Sequence, residues 1–245
     1  MKVIFPMGGK AERFGGTFKP LLLLNGKSFI ELAASTFASL GDLVDSIYGI
    51  CTASQRADYM LYKNERFNSL FDEIFYINEY TTGPLETIRA AMMLYPETLI
   101  CSNGTKPVVF CDCDHYLDIT GFSLELFEDS DVVLPVINLS PLERSADWLV
   151  ARIKAEGSIE FIEKPEYINF VEKSYGVIGC YFFRTESLFN ELINNTIGKS
   201  LSDIFKSHSD LRYKLLTIQN ATFFGDPRRL QSAIKSGCNL RRSTD

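Results

Sequence analysis

The first half of the chain alternates apolar runs of strand length with segments of helical spacing, and this alternation leaves few folds open. Lys2–Phe5 reads as a short buried strand that runs straight into a glycine loop. Ser28-Phe29-Ile30-Glu31 is a capping box opening a helix, with apolar residues at Ile30, Ala33, Phe37 and Leu40 and a stop at Gly41. Ser46–Cys51 reads as a second strand, Arg56–Arg66 as a helix and Glu73–Ile77 as a third strand. Gly83-Pro84 then starts a helix that carries Leu85, Ile88, Met92 and Tyr95 on one face. Pro107–Cys111 and Val132–Ile137 are continuous apolar runs, the kind buried on both faces of a parallel sheet. The pattern then changes: Leu149–Lys154 and Ser158–Ile162 flank Glu156-Gly157 as a β-hairpin. Val177–Phe183 is another apolar run, followed by a helix near Glu186–Ile193, a strand at Tyr213–Ile218 and a helix at Arg228–Lys235 stopped by Gly237. These elements imply an α/β fold of three layers around a sheet of mixed direction, which binds its ligands at the carboxyl ends of the strands.

The chain has 245 residues and no Pro- or Ser-rich tract, charge block or repeat that would mark a linker, so the expectation is one domain over 1–245. Its net charge of −6 argues against nucleic acid as a partner. Lys2, Lys10, Arg13 and Lys19 nevertheless face a single Glu12 in the first twenty residues, a basic patch suited to a small anion. No apolar run approaches membrane-spanning length, and Val3-Ile4-Phe5 is too short for a signal-peptide core; no membrane partner and a cytoplasmic location are expected. Cysteines 51, 101, 111, 113, 180 and 238 have no framework spacing and read as free, buried thiols. Phe67, Leu70 and Phe71 leave a homo-oligomer contact and simple core packing both open.

Three local features carry candidate chemistry. Gly8, Gly9, Gly15 and Gly16 follow the first strand and can turn backbone N–H groups toward an anion, though neither standard phosphate fingerprint is present; a plain surface turn is the alternative. Asp112-Cys113-Asp114 ends an apolar strand with two carboxylates on one side, which suits Mg²⁺; a solvated strand end where Asp caps a turn is the common alternative. His115 and His208 are too few and too scattered for zinc. In Ile162-Glu163-Lys164-Pro165 the proline fixes the strand exit, so Lys164 is either held at a rim or simply solvent-facing.

In their order along the chain, these features resemble the nucleotidyltransferases that activate sugar phosphates and related small phosphates. Pro6-Met7-Gly8-Gly9-Lys10-Ala11-Glu12-Arg13-Phe14, then Phe18-Lys19-Pro20-Leu21, is similar to the family's opening signature P-M-A-G-x-G-[ST]-R-F…P-K-P-L. Thr82-Gly83-Pro84-Leu85-Glu86-Thr87 looks like its nucleobase segment and Cys113-Asp114-His115 like its metal segment. Glu163-Lys164-Pro165 with Gly179-Cys180-Tyr181-Phe182-Phe183 resembles its acceptor segments, and Gly225-Asp226-Pro227-Arg228-Arg229-Leu230 its closing G-T-P-x-x-L. Four departures stand out: Ala11 and Glu12 replace a glycine and a hydroxyl residue, Asp226 replaces Thr, and Phe223 stands where many relatives carry an aspartate.

The resemblance implies a Rossmann-like nucleotidyltransferase fold with a mixed, mostly parallel sheet. It implies transfer of a nucleoside monophosphate from a triphosphate to a phosphorylated small molecule, with Mg²⁺ as cofactor. Met7, Gly8, Gly9, Lys10, Thr82, Gly83 and Asp112 would bind the nucleotide, and Arg13 and Lys19 would be catalytic. Glu163, Lys164, Gly179 and Tyr181 would bind the acceptor, and Asp114 and Asp226 the metal. The compact chain resembles cytidylyltransferases of capsule and other surface-polymer pathways, which makes CTP the expected nucleotide. The acceptor would be a sugar phosphate or a non-sugar phosphate such as phosphoglutamine or phosphocholine. A metal-dependent glycosyltransferase using Asp112-x-Asp114 and an inactive regulatory domain are the competing readings.

Overall fold

The computed structural model describes residues 1–139, 148–165, 173–208 and 210–236. In chain order, the strands of the first half are β1 (Lys2–Pro6), β2 (Leu23–Leu24), β3 (Lys27–Ser28), β4 (Ser46–Thr52), β5 (Glu73–Ile77), β6 (Val108–Cys111) and β7 (His115–Leu117). The second half adds β8 (Val132–Asn138), β9 (Leu149–Ile153), β10 (Ile159–Glu163), β11 (Ser174–Val177), β12 (Cys180–Phe183), β13 (Tyr213–Thr217) and β14 (Ala221–Phe223). The helices are α1 (Phe29–Ser35), α2 (Ala53–Asp58), α3 (Glu65–Asn68), α4 (Pro84–Leu94), α5 (Glu186–Asn195), α6 (Ser202–Ser207) and α7 (Pro227–Lys235).

The main sheet runs β10-β9-β11-β8-β12-β6-β1-β4-β5, with β13 also pairing β8. Parallel pairing is concentrated at one end, where β6, β1, β4 and β5 lie side by side, and recurs only between β13 and β8. From β12 outward the sheet is antiparallel. Successive residues of β1 and β6 split between two cores, as the two-residue period of a strand requires. Val3, Phe5, Val109 and Cys111 pack with Ile30, Ala33 and Phe37 on one face. Ile4, Val108 and Phe110 pack with Leu85, Ile88, Phe189 and Ile204 on the other, giving three layers.

Local signals place several elements as expected. Ser28 and Glu31 form the reciprocal capping box of α1, and Pro84 stands in the first turn of α4. β9 and β10 form the antiparallel hairpin, with Gly157 at φ 87° in its turn. Other expectations are corrected. Arg56–Arg66 is not one helix but two short ones separated by a 3-10 turn at Leu61–Lys63, because Met60 adopts a left-handed conformation between them. The helix after Ser28 becomes 3-10 at Thr36 and turns sharply at Gly41. The run Val177–Phe183 is two strands broken at Ile178 and Gly179. The small β7–β14 pair and α6 had no clear signal in the sequence. Phe67 is buried, and the partly buried Leu70 and Phe71 pack against the same core. Cys51, Cys101, Cys111, Cys113 and Cys180 are free thiols; Gly237 and Cys238 lie outside the described residues. No helix among the described residues is long and apolar enough to cross a membrane.

Candidate active site

At the carboxyl end of β1 the chain enters the glycine loop with its carbonyls already occupied. Gln55 Nε2 donates to Met7 O at 3.0 Å and to Gly9 O at 3.1 Å, while Thr81 N donates to Gly8 O at 3.1 Å. The buried Gln55 is itself fixed, because its Oε1 accepts Thr52 N at 2.7 Å as part of the capping box of α2. Met7 N is bonded to Ile50 O, and Gly15 N and Gly16 N to Glu12 O and Ala11 O, so the N–H groups that this part of the loop can offer a ligand are those of Gly8, Gly9 and Lys10. Ala11, at φ 51° and ψ 44°, holds the left-handed conformation that glycine would adopt without strain. Arg13 and the departing Glu12 lie exposed in the following 3-10 turn.

Met7, Gly9, Lys10, Ala11 and Arg13 line a cavity of about 740 Å³ that also reaches Lys19, Tyr80, Thr82, Gly83, Asp112 and Asp114; Gly8, packed against Thr87 and Ile77, is not part of its lining. The size is that of a small-molecule site. Lys10 lies 5.9 Å from the Tyr80 ring centroid. Thr82 donates through its N and its hydroxyl to Glu86, which seats the start of α4. Gly83 packs so closely on Lys199 O that a Cβ has no room.

Across the cavity, the turn after β6 presents the two aspartates. Asp112 lies against Gly179 and Asp114 against Gly225, and in both places a Cβ on the glycine would collide with the carboxylate. Lys19 Nζ donates to Asp114 Oδ2 at 2.9 Å, and His115 Nδ1 lies 3.3 Å from Asp114 Oδ1. Burial would raise the Asp114 pKa, but Lys19 and His115 outweigh it and hold this carboxyl well below its usual range. Burial likewise opposes the charged form of Lys19, yet Asp114 keeps that ammonium above its ordinary value. His115 is raised to about 9 against burial, chiefly by its bond to Asp114. Asp112 behaves differently: burial first, and Asp114 next, push it up to about 6.

A second cavity of about 200 Å³ adjoins the first and shares Asp112, Asp114, Tyr181 and Ser200 with it. Glu163 is tied down there: Ser202 Oγ donates to it at 2.8 Å and Lys206 Nζ lies 3.5 Å away. Lys164 is exposed, at φ 43°, with its N–H bonded to Trp148 O at 2.8 Å. The backbone, as well as Pro165, therefore holds this rim. Asp226 goes elsewhere: its carboxylate caps α7, accepting Arg228 N at 2.9 Å and Arg229 N at 3.1 Å, and it lines neither cavity. A further cavity of about 410 Å³, between α4 and α5, contains no glycine loop and no paired aspartates.

Residues 3–144 match the family model of the MobA-like NTP transferase domain. The chain belongs to this family. No curated protein matches it in sequence. Its fold is similar to that of a nucleoside-diphosphate-sugar pyrophosphorylase from Vibrio cholerae RC9, with a TM-score of 0.71 and 16% identity over 95% of this chain and 99% of the other. It is equally similar to a Bacillus anthracis protein described as a glucose-1-phosphate thymidylyltransferase, solved with a sucrose (TM-score 0.71, 17% identity, 99% and 97% covered).

In this MobA-like NTP transferase Asp112 and Asp114 are the two carboxylates that could hold a divalent cation; no group of three or more His, Cys, Asp or Glu among the described residues is arranged to hold one. Asp112 fits such an ion best, since its carboxylate is crowded by Asp114 and is bonded to no side chain among the described residues. Hard oxygens suit Mg²⁺, which retains several waters and needs only one or two carboxylates. Sequence reasoning missed Gln55, Tyr80, Thr81, Ser200, Trp148 and Arg229. Of these, only Gln55 had a local signal, the capping pattern Thr52-x-x-Gln55.

Proposed function

We propose that this nucleotidyltransferase moves a nucleoside monophosphate from a triphosphate to the phosphate of a small acceptor and releases pyrophosphate. The observation that carries the reading is the junction of the two cavities at Asp112 and Asp114, with the glycine loop on one side and Lys164 on the other. An acceptor phosphate oxygen attacks the α-phosphorus in line, and the bond from that phosphorus to the β-phosphate oxygen breaks. A phosphate monoester, with its second pKa about 6, is mostly dianionic at neutral pH, so no general base is required. Catalysis then rests on positioning and charge neutralisation.

In this reading Met7, Gly8, Gly9 and Lys10 receive the triphosphate, and Thr82 and Gly83 border the base. Arg13 and Lys19 offset the charge that develops on the phosphates. Lys164, Glu163, Gly179 and Tyr181 hold the acceptor. Asp114 and Asp112 would hold Mg²⁺, which when bound supplies positive charge at the phosphate oxygens; Asp226, capping α7, is left out of that set. For the nucleotide we propose CTP, on the resemblance to compact cytidylyltransferases, and for the setting capsule or other surface-polymer assembly in the cytoplasm. The acceptor class is a sugar phosphate first, with non-sugar phosphates second.

The test is thermal stability with Mg²⁺ and ATP, CTP, GTP, UTP or dTTP, set against activated sugars. A triphosphate at about 100 times its dissociation constant adds about 2.7 kcal/mol, a readily measured shift. One triphosphate raising the melting temperature, dependent on Mg²⁺, is the expected result and names the base. Stabilisation by activated sugars alone would overturn the reading in favour of a glycosyltransferase.

A further inference from the structure

Trp148, Phe223 and Asp226 converge on one side chain. The Arg229 guanidinium carbon lies 4.4 Å from the Trp148 ring centroid and 5.5 Å from that of Phe223. Its Nε lies 3.5 Å from Asp226 Oδ2. Trp148 and Phe223 meet edge to face at 5.0 Å, so two rings and a carboxylate hold the guanidinium from separate directions. Phe223 pairs in register with His115, beside Asp114, so this aromatic seat for a cation lies next to the paired aspartates.

Arg229 is 27% exposed and lines the smaller cavity with Lys164, Tyr181, Asp112 and Asp114. Asp226 engages only its Nε, and no other bond to a polar group occupies the guanidinium among the described residues. A planar guanidinium already fixed by stacking loses little freedom when it pairs with an oxyanion, and its fork matches phosphate or carboxylate geometry.

We propose that Arg229 is an acceptor-binding and specificity-determining residue that takes an oxyanion of the acceptor in the smaller cavity. The proposal rests on the nucleotidyltransferase reading above and narrows its substrate class. Lys164 and Arg229 bring two cations to this wall; its acids are Asp112, Asp114 and Glu163, the last already paired with Lys206, so acceptors whose charge is entirely negative are favoured over those that carry a cationic group next to the phosphate. Phosphocholine is therefore expected to bind more weakly than an acceptor without a cationic group.

Trp148 is the only tryptophan of the chain, so its emission reports on this guanidinium directly. Glucose 1-phosphate, 3-phosphoglycerate and phosphocholine are titrated into the full chain and into Arg229→Gln and Arg229→Lys, with triphosphate affinity measured separately by calorimetry. In the wild type, emission changes saturably with the first two. In Arg229→Gln their affinity falls by about tenfold or more, as losing a charged hydrogen bond predicts, and Arg229→Lys recovers part of it. Triphosphate affinity stays unchanged throughout. An equal loss for both ligands identifies the phosphate as the bound oxyanion, and a loss confined to 3-phosphoglycerate identifies the carboxylate. Identical titrations of wild type and Arg229→Gln, tightest binding by phosphocholine, or no wild-type response to any of the three would overturn the proposal. Failure of every triphosphate to bind would sink the nucleotidyltransferase reading instead, while an Arg229-dependent response to phosphates would still establish the oxyanion site.

Discussion

Lys19 Nζ donates to Asp114 Oδ2 at 2.9 Å, joining the end of the glycine loop to the turn after β6. Each charge is held ionised by the other despite being largely removed from water. The pair places a cation beside the aspartates where the two cavities meet. Removing a contact of this kind typically costs a few kcal/mol of transition-state stabilisation. Lys19→Ala is therefore expected to lose at least about a hundredfold in turnover, with Lys19→Arg retaining part of it. Pyrophosphate release measures both, and near-normal turnover in Lys19→Ala would remove this residue from the machinery.

Asp112 titrates near 6 in the folded chain against 3.8 for an ordinary aspartate. Between these two values the folded state binds more protons than the unfolded one, so stability falls as pH rises through this window. Above it the whole penalty is present, and below it none. Asp112→Asn, which carries no charge, is expected to be more stable than wild type at pH 7.5 by about 1–3 kcal/mol without divalent cation. The difference should close near pH 4. Urea unfolding at the two pH values checks this; a variant no more stable at pH 7.5 contradicts the crowding of these carboxylates.

Gln55 bonds to two carbonyls of the glycine loop from a helix that never touches the cavity. Gln55→Glu keeps an oxygen for Thr52 N but turns a second oxygen toward Met7 O and Gly9 O. The loop is expected to shift and triphosphate affinity to fall about tenfold. Binding of phosphates at the Trp148 side should be untouched. Calorimetry with a triphosphate, alongside Trp148 emission, separates loop positioning from a general loss of structure, which would weaken both.

Ala11→Gly restores the residue suited to φ 51°. A side chain in the left-handed region costs about 1–2 kcal/mol, part of which glycine returns through its freer unfolded state. The expected net gain is about 1 kcal/mol with turnover retained. Chemical denaturation gives the sign directly. A destabilised Ala11→Gly would mean that the methyl group makes a packing contact worth more than the strain.

Much of this protein is legible in its sequence. The strand-helix alternation, the Ser28–Glu31 capping box, the Gly83-Pro84 helix start and the β9–β10 hairpin all rest on interactions between residues a few positions apart, and such signals are written locally. The glycine loop and Asp112-x-Asp114 are legible too, because strand ends and turns fix which edge they share. Where local signals conflicted with distant neighbours, the neighbours prevailed. Val177–Phe183 reads as one strand, yet the chain breaks at Gly179, whose missing side chain leaves space for the Asp112 carboxylate. Asp226 reads as a metal ligand by position in a motif, but in the structure its carboxylate accepts two N–H groups of the helix it begins. Gln55 under the loop and Arg229 between Trp148 and Phe223 join residues far apart in the chain, and no spacing encodes them. The sequence by itself determined the layers, the sheet edge that carries the site and the main charged groups, since these follow from periodicity and turn chemistry. Which side chains face one another across that edge was decided only by tertiary packing, where burial and charge pairing act between segments that the sequence keeps apart.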